Sequence, residues 1–220
     1  VDAQALSVTV QAGMRLRDLN FALAERGLAL SAQGSVAEQS IGGLIATGTH
    51  GTGLAFPNLS GMVTALRLID ATGKVRELDA TDGELFSAAC LSLGCLGIIS
   101  TITLQVEPAF ALEERAWTLS FSEAVAQVDA LIEAHEHVKL WWVPHIDRVQ
   151  VYVQNRTKAP VTTPSIRERW ESSPGPRWLF AFVLWLGRLI PPAIAPLNWL
   201  MATTHFRDYR RVAPSYEVFN

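Results

Sequence analysis

The apolar and polar positions open on a strand. Leu6, Val8 and Val10 alternate with Ser7, Thr9 and Gln11, a period of two that buries one face. Gly13 closes it, and from Arg15 the period lengthens: Leu16, Leu19 and Leu23 fall at helical spacing, with Gly27 after the last turn, where positive φ costs glycine little. A loop of small residues runs from Gly34 to Gly53. Beyond it Leu66 and Leu68 predict a strand, Asp70 to Gly73 ("DATG") a turn, and Val75 to Leu78 the returning strand of a hairpin. Asp82 is positioned to cap a helix over Glu84 to Leu91. Ile98, Ile102, Leu104 and Val106 share one face of a strand expected to be largely buried.

Pro108 marks a boundary. After it "ERAWTLS" reads as a strand, and Ser122 is a candidate cap for a helix carrying Val125, Val128, Leu131 and Ile132. Val149, Val151 and Val153 alternate with Gln150, Tyr152 and Gln154 in a further strand. The expected organisation is α+β in two parts, 1–108 and 109–220, with no internal repeat. Thr157 to Pro176, with Pro160, Pro164, Pro174 and Pro176, reads as mostly loop with a short helix at Ile166 to Trp170. The apolar run in Trp178 to Leu200 ends at Arg188, and Pro191, Pro192 and Pro196 follow, whereas a spanning helix needs about 20 apolar residues. The segment is expected to lie buried between domains, with a surface-lying membrane or partner contact as the alternative.

Composition narrows the classes. Apolar residues make up 49% of the 220 and charged residues 18%, enough for a real core without a disulfide framework. The net charge of −3 gives a nucleic acid no general attraction. Residues 1–108 hold 6 basic and 10 acidic groups and residues 109–220 hold 12 and 11, a lean too slight to imply a polyanion. No basic run followed by an apolar core occurs in Val1 to Val10, and the two cysteines fit a reducing compartment, so a cytoplasmic location is expected.

The candidate chemistry lies in the loop "GSVAEQSIGGLIATGTHGTG". Its six glycines let a ligand approach the backbone, successive amides can converge on phosphate oxygens, and Ser40, Thr47, Thr49 and Thr52 add hydroxyls. A diphosphate-containing cofactor is a sensible occupant; a merely tight structural loop is the other reading. There is no GxxxxGK[ST], and no GxGxxG opens a helix after a strand. His50 is either a turn histidine bonded to backbone or a donor near a cofactor.

Elsewhere the residues favour packing. In "WWVPHIDRV", Trp142 and His145 could face a polar substrate, yet the same residues form the approach to a strand, and His145 is not assigned as a base. Cys90 and Cys95 lack a CxxC spacing and read as two buried thiols, and His135 and His137 as a surface pair, so no metal site is expected. There is no HExxH and no GxSxG. The basic residues of "RDYRR", Arg207 to Arg211, read as solvated or paired with Asp208 and Glu217; a carboxylate or a second chain is the alternative.

The loop motif, followed by "DGELFSAACLSLGCLGIISTITLQVEPAF" and "KLWWVPHIDRVQVY", resembles the sugar-lactone and alditol oxidases, flavoproteins of the vanillyl-alcohol oxidase group that include gulonolactone and arabinonolactone oxidases. The resemblance runs in order from about Val8 to Tyr152, and more loosely to Asn220. It implies that residues 1–108 form the second subdomain of a PCMH-type FAD-binding domain and that 109–220 begin an α+β substrate domain. Ser35, Ser40, Ile41, Gly42, Gly43, Thr47, Gly48, Thr49, His50 and Gly51 then match the FAD-lining loop, with the amides of Ile41 to Gly43 on the diphosphate. Gly97, Ile98 and Ile99 match a later flavin-contacting strand start. The implied reaction oxidises a hydroxyl of a sugar lactone or polyol by hydride transfer to flavin N5, with oxygen or an electron carrier as final acceptor; no catalytic residue is assigned.

Such enzymes also carry an earlier FAD subdomain, with an arginine- and glycine-rich loop followed by histidine, and a distal motif that faces the substrate. Neither pattern occurs between Val1 and Asn220. The chain is therefore expected to be a fragment that relies on missing N-terminal and C-terminal segments of the same enzyme and is inactive alone. The alternative is a catalytically inert binding or structural module derived from such an enzyme. No nucleic-acid partner and no membrane contact are expected.

Overall fold

The computed structural model describes residues 1–2, 4–171 and 174–219. The chain divides into two compact units, Val1–Leu112 with Pro214–Asn220, and Glu113–Ala213.

In the first unit, β1 (Ser7–Gln11) leads into α1 (Leu16–Ala24), β2 (Leu28–Ala29) and the short α2 (Ile41–Ala46). A hairpin of β3 (Val63–Ile69) and β4 (Val75–Asp79), then α3 (Glu84–Cys90), β5 (Ile98–Gln105) and β6 (Glu107–Pro108) complete it. Four strands form an antiparallel sheet in the order β1, β5, β3, β4, and β2 pairs with β6. Leu16, Leu19 and Leu23 of α1 are each at most 1% exposed, so the helical period found the core face. With Ile41, Leu44 and Ile45 of α2 they pack on Ile102 and Leu104 of β5, each such side chain contributing about 1.5–3 kcal/mol on burial. Gly27 and Gly73 both take positive φ, at the helix end and the hairpin turn.

The second unit is built from β7 (Ala111–Leu119), α4 (Phe121–Ala134), β8 (His137–Trp142), β9 (Val149–Thr157), α5 (Ile166–Glu171), α6 (Pro174–Leu189), α7 (Ile194–His205) and β10 (Tyr209–Pro214). Its sheet runs β10, β7, β9, β8. Leu131 of α4 packs against Val151 and Val153, with Trp117, Leu119 and Val138 at the margin. The last helix, α8 (Ser215–Phe219), belongs to the first unit: Ser215 N–H donates to Phe110 O at 3.0 Å, and Tyr216 meets Phe21 edge to face.

Local expectations fail where a nearer partner wins. Gly83, not Asp82, stands at the N-cap of α3; the Asp82 carboxylate instead accepts from Asp79 N–H at 2.9 Å and closes a capping box on the preceding turn. α4 starts two residues earlier than expected, because Ser120 and Glu123 make a full capping box and leave Ser122 inside the helix. Val125 is 58% exposed, so the buried stripe of α4 runs through Ala124 and Leu131. The loop expected over Thr157 to Pro176 ends early: α6 begins at Pro174, since proline's missing N–H costs nothing in a first turn, while Ser172 and Ser173 lie outside the described residues.

The largest departure is Trp178 to Leu200. These residues form α6 and α7, and Trp178, Trp185 and Trp199 are 76%, 54% and 59% exposed, so burial of the segment is not observed. Among the described residues no helix is long and apolar enough to cross a membrane.

Candidate functional site

The glycine-rich loop folds around α2. Ser40 caps the helix with its Oγ accepting from Gly43 N–H at a long 3.4 Å, while Ile41, Leu44 and Ile45 point into the core. The turns of α2 that face away from that core present Ser40, Gly43 and Thr47, and His50 follows on the exposed side. Thr47 Oγ1 donates to Gly43 O at 2.9 Å, and His50 Nδ1 lies 2.9 Å from Gly51 O, so the backbone-bonded turn histidine is what forms. Ser35 is exposed nearby in sequence, and Thr49 is tied on both sides, donating to Leu44 O and accepting from Leu59 N–H.

The glycines do two different jobs. At Gly42 a Cβ would stand 3.1 Å from both the Cβ and the carbonyl oxygen of Ala12, and at Gly51 it would stand 2.7 Å from Gln33 O. At Gly48 (φ +66°) it would meet Leu91 Cδ1 at 2.8 Å. These three allow protein segments to close on one another. Gly43 differs: only Ser40 Oγ, at 3.3 Å, lies near its Cβ position, and the residue is exposed. Its bare backbone lets a ligand approach.

The amides tell the same story. Ile41 N–H donates to Met14 O and Gly42 N–H to Ala12 O, both at 2.8 Å. The expectation that these two amides hold a diphosphate is therefore corrected: they are spent on holding α2 against the turn after β1. What fits a phosphorylated cofactor is the edge formed by half-buried Ser40 and exposed Gly43 and Thr47, with the Ser40 hydroxyl and a glycine that carries no shielding side chain.

Gly97 and its neighbours sit at the start of β5. Gly97 has φ +141°, a conformation reserved for glycine, and a Cβ there would collide with Ile69 O. Ile98 is 71% exposed, against the expectation of a largely buried strand, while Ile102, Leu104 and Val106 on the same period are buried. Ile99 pairs with Leu68 and is half-buried. The loop before Gly97 is tied to α2, because Leu93 N–H donates to Ala46 O at 3.0 Å. That bond brings Leu91 and Leu93, 48% and 70% exposed, beside the end of α2. A polar edge on α2 thus adjoins an apolar one.

Within the second unit, Trp142 ends β8, paired with Val149, and His145 lies in the turn between β8 and β9. Trp142 Nε1 donates to Ile146 O at 3.2 Å, its ring tilts against Phe121, and His145 takes φ +70° on the exposed turn.

A cluster that sequence reading missed lies on the sheet. Glu114 of β7 is 1% exposed and accepts from Gln154 Nε2 at 2.7 Å, Tyr209 OH at 2.7 Å and Arg211 Nε at 2.9 Å. Burial and the Glu114 carboxylate together raise the Tyr209 pKa, so it stays a hydrogen-bond donor. Burial works to lower the Arg211 pKa, and Glu114, Tyr209 and Glu168 together more than offset it. Lys139 of β8 stands 4.7 Å over the Tyr152 ring, and burial pulls its pKa below the ordinary lysine value. Arg210 pairs with Glu113 at 2.5 Å, so "RDYRR" finds its acids on β7 rather than at Asp208 and Glu217. The only advance signal was the alternation of Gln150, Tyr152 and Gln154, whose polar face is not solvent: Gln150 and Gln154 are 1% and 4% exposed.

Other expected features change in detail. Cys90 is buried but Cys95 is exposed, and His137 is fully buried rather than at the surface. Among the described residues no group of three or more His, Cys, Asp or Glu could hold a metal ion. A small cavity bounded by Asn20, Gln33, Ser215 and Tyr216 has a volume of about 10 Å³, room for one water and far below a cofactor's size.

Two family models match the chain. Residues 1–79 match the family model described as FAD binding domain, and residues 102–220 match the one described as D-arabinono-1,4-lactone oxidase. L-gulonolactone oxidase from Bos taurus is 36% identical over 91% of this chain and 46% of its own length. L-gulono-1,4-lactone dehydrogenase from Mycobacterium tuberculosis is 36% identical over 99% of this chain and 52% of its own. The chain thus spans about half the length of these curated relatives. Among solved structures, a solvent-stable cholesterol oxidase superposes with a TM-score of 0.75 at 20% identity, over 96% of this chain and 46% of its own, which establishes the fold alone. That fold is α+β, of the PCMH-type FAD-binding kind, and its cofactor is FAD. The chain belongs to the D-arabinono-1,4-lactone oxidase family.

Proposed function

We propose that the protein carrying this sequence oxidises a hydroxyl of a sugar lactone or a related alditol, with residues 1–108 lining the FAD site and residues 109–220 contributing to the substrate side. The observation that carries this reading is the edge of half-buried Ser40 and exposed Gly43 and Thr47 on a helix whose Ile41, Leu44 and Ile45 are buried, inside the segment that matches an FAD-binding family. FAD, when bound, supplies a hydride acceptor at flavin N5.

The chain's residues have defined tasks in this proposal. Ser40 offers its hydroxyl hydrogen to the cofactor's oxygens beside the bare backbone of Gly43, and Thr47, whose own hydroxyl donates to Gly43 O, lines the same edge with Ser35, Thr49 and His50 beside it. Ile41, Gly42, Gly48 and Gly51 line the site indirectly, by closing the loop so that this edge stays rigid. Ile98, with Gly97 and Ile99 setting its position, gives an apolar surface for the adenosine end. Trp142 and His145 are the substrate-side candidates, both exposed, one at the end of β8 and the other in the turn that follows. None of these residues is assigned the proton abstraction.

The test is anaerobic. The natural protein is purified, its visible flavin spectrum recorded, and L-gulono-1,4-lactone, D-arabinono-1,4-lactone and an alditol added in turn. Bleaching of the flavin by one of them supports the reading; a flavin-bearing protein that none of them reduces refutes the substrate class, and a protein that neither carries nor takes up flavin refutes the cofactor assignment. Reoxidation by oxygen or only by an artificial electron carrier then separates oxidase from dehydrogenase.

A further inference from the structure

Three of the four buried positions of α1 are the leucines Leu16, Leu19 and Leu23, and the fourth is Asn20, 5% exposed. Helical spacing puts Asn20 on the stripe that faces the core, where a leucine would pack as its neighbours do. An amide there gives up its hydrogen bonds to water, and a buried polar group left without a partner lowers the folding equilibrium constant by roughly 5- to 150-fold. Gln33, 3% exposed, carries the same burden on the segment that leads into the glycine loop.

Among the described residues, Asn20 Nδ2 and Gln33 Oε1 are buried atoms with no hydrogen-bond partner in the protein. The first is a donor and the second an acceptor. Both side chains border the same cavity of about 10 Å³, whose wall also includes Ser215 of α8 and the apolar Leu23, Leu28 and Leu30. That volume admits one water-sized sphere and nothing larger. A cavity lined by apolar groups alone stays dry, whereas a water settles where it finds two to four polar partners. Here the wall brings the Asn20 donor, the Gln33 acceptor and the hydroxyl-bearing Ser215, itself 2% exposed.

We propose that Asn20 and Gln33 form the binding site of one buried structural water, which accepts from Asn20 Nδ2 and donates to Gln33 Oε1. The other end of the same amide is held by α8, since Gln33 Nε2 donates to Tyr216 O at a long 3.5 Å. The Gln33 backbone is the surface on which the glycine loop closes: a Cβ at Gly51 would stand 2.7 Å from Gln33 O and 3.1 Å from Gln33 N. The water therefore ties α1 to the residue that both α8 and the loop lean on, whether or not the loop receives FAD.

A high-resolution crystal structure of the natural protein tests the site directly. A density peak is expected at about 2.7–3.2 Å from both Asn20 Nδ2 and Gln33 Oε1. Empty density between them, or a direct hydrogen bond from Asn20 Nδ2 to Gln33 Oε1, overturns the proposal. Denaturant unfolding of Asn20→Leu, Gln33→Met and the double variant adds a second readout. Each single change strands the other partner and is expected to raise the unfolding equilibrium constant by roughly 5-fold or more. The double change removes both partners with their water, so its loss is expected to fall short of the product of the single losses by a factor of about 5 or more. Single losses that simply multiply overturn the shared water. The density is read from the parent protein and does not depend on any variant folding, and neither readout uses flavin or lactone turnover.

Discussion

The glycine loop of the first unit and the polar face of the second unit's sheet are opposite kinds of surface. The loop is conspicuous in sequence, yet most of what makes it conspicuous serves the protein itself: Gly42 admits Ala12, Gly51 admits Gln33, and the amides of Ile41 and Gly42 are bonded to the turn after β1. The sheet face is inconspicuous in sequence, yet it buries a carboxylate among an arginine, a tyrosine and a glutamine. The difference teaches that a site-like composition records close packing as readily as ligand approach. Only the residue left exposed after packing is satisfied, here Gly43, discriminates between them.

The comparison can be broken at the sheet first, where the largest effect is expected. Glu114→Ala leaves Arg211, Tyr209 and Gln154 without their common acceptor, and breaking a buried pair of this kind costs about 3–5 kcal/mol. Denaturant unfolding of the variant should show that loss, and Glu114→Gln, which preserves shape, a smaller one. A loss below about 1 kcal/mol would mean the network is not held as described.

Next comes Gly97. Its φ of +141° is open to glycine alone, and Gly97→Ala must also displace Ile69, so a destabilisation of about 1–3 kcal/mol from backbone strain is expected. The same loss should appear with and without FAD in thermal melts. A variant that melts normally but binds FAD poorly would instead make Gly97 a contact residue.

Gly42→Val sharpens the loop. Overpacking against Ala12 costs about 1–3 kcal/mol, partly offset because glycine inside a helix is itself unfavourable by roughly 0.5–1 kcal/mol. Stability and FAD occupancy are expected to fall together, with the melting change the primary one. Intact stability with lost flavin would restore the Gly42 backbone as a direct cofactor contact.

What could be read from the chain alone was whatever neighbours in sequence decide. Leu16, Leu19 and Leu23 declare the buried face of α1, and Asp70 to Gly73 the hairpin turn, because both depend on residues a few positions apart. The position of the candidate site was legible too, through its glycines. Its chemistry was not: the partners of the Ile41 and Gly42 amides lie 27 and 30 residues back, and Glu114 and Arg211 are 97 residues apart. The caps at Ser120 and Gly83 were missed by one or two residues, since several serines and aspartates compete for each helix start and only the folded backbone selects one. The exposure of α6 contradicted expectation because hydrophobicity predicts burial without saying in what.

The central claim is that the exposed edge at Gly43 receives FAD, and Gly43→Val tests it most directly. The added Cβ meets only Ser40 Oγ, at 3.3 Å, and the position is exposed, so the fold should melt within about 0.5 kcal/mol of the parent. Flavin per polypeptide, measured by visible absorbance on the purified natural protein and its variant, is predicted to drop several-fold at unchanged stability. Equal flavin content in the two proteins would contradict the account and leave the glycine loop a packing device alone.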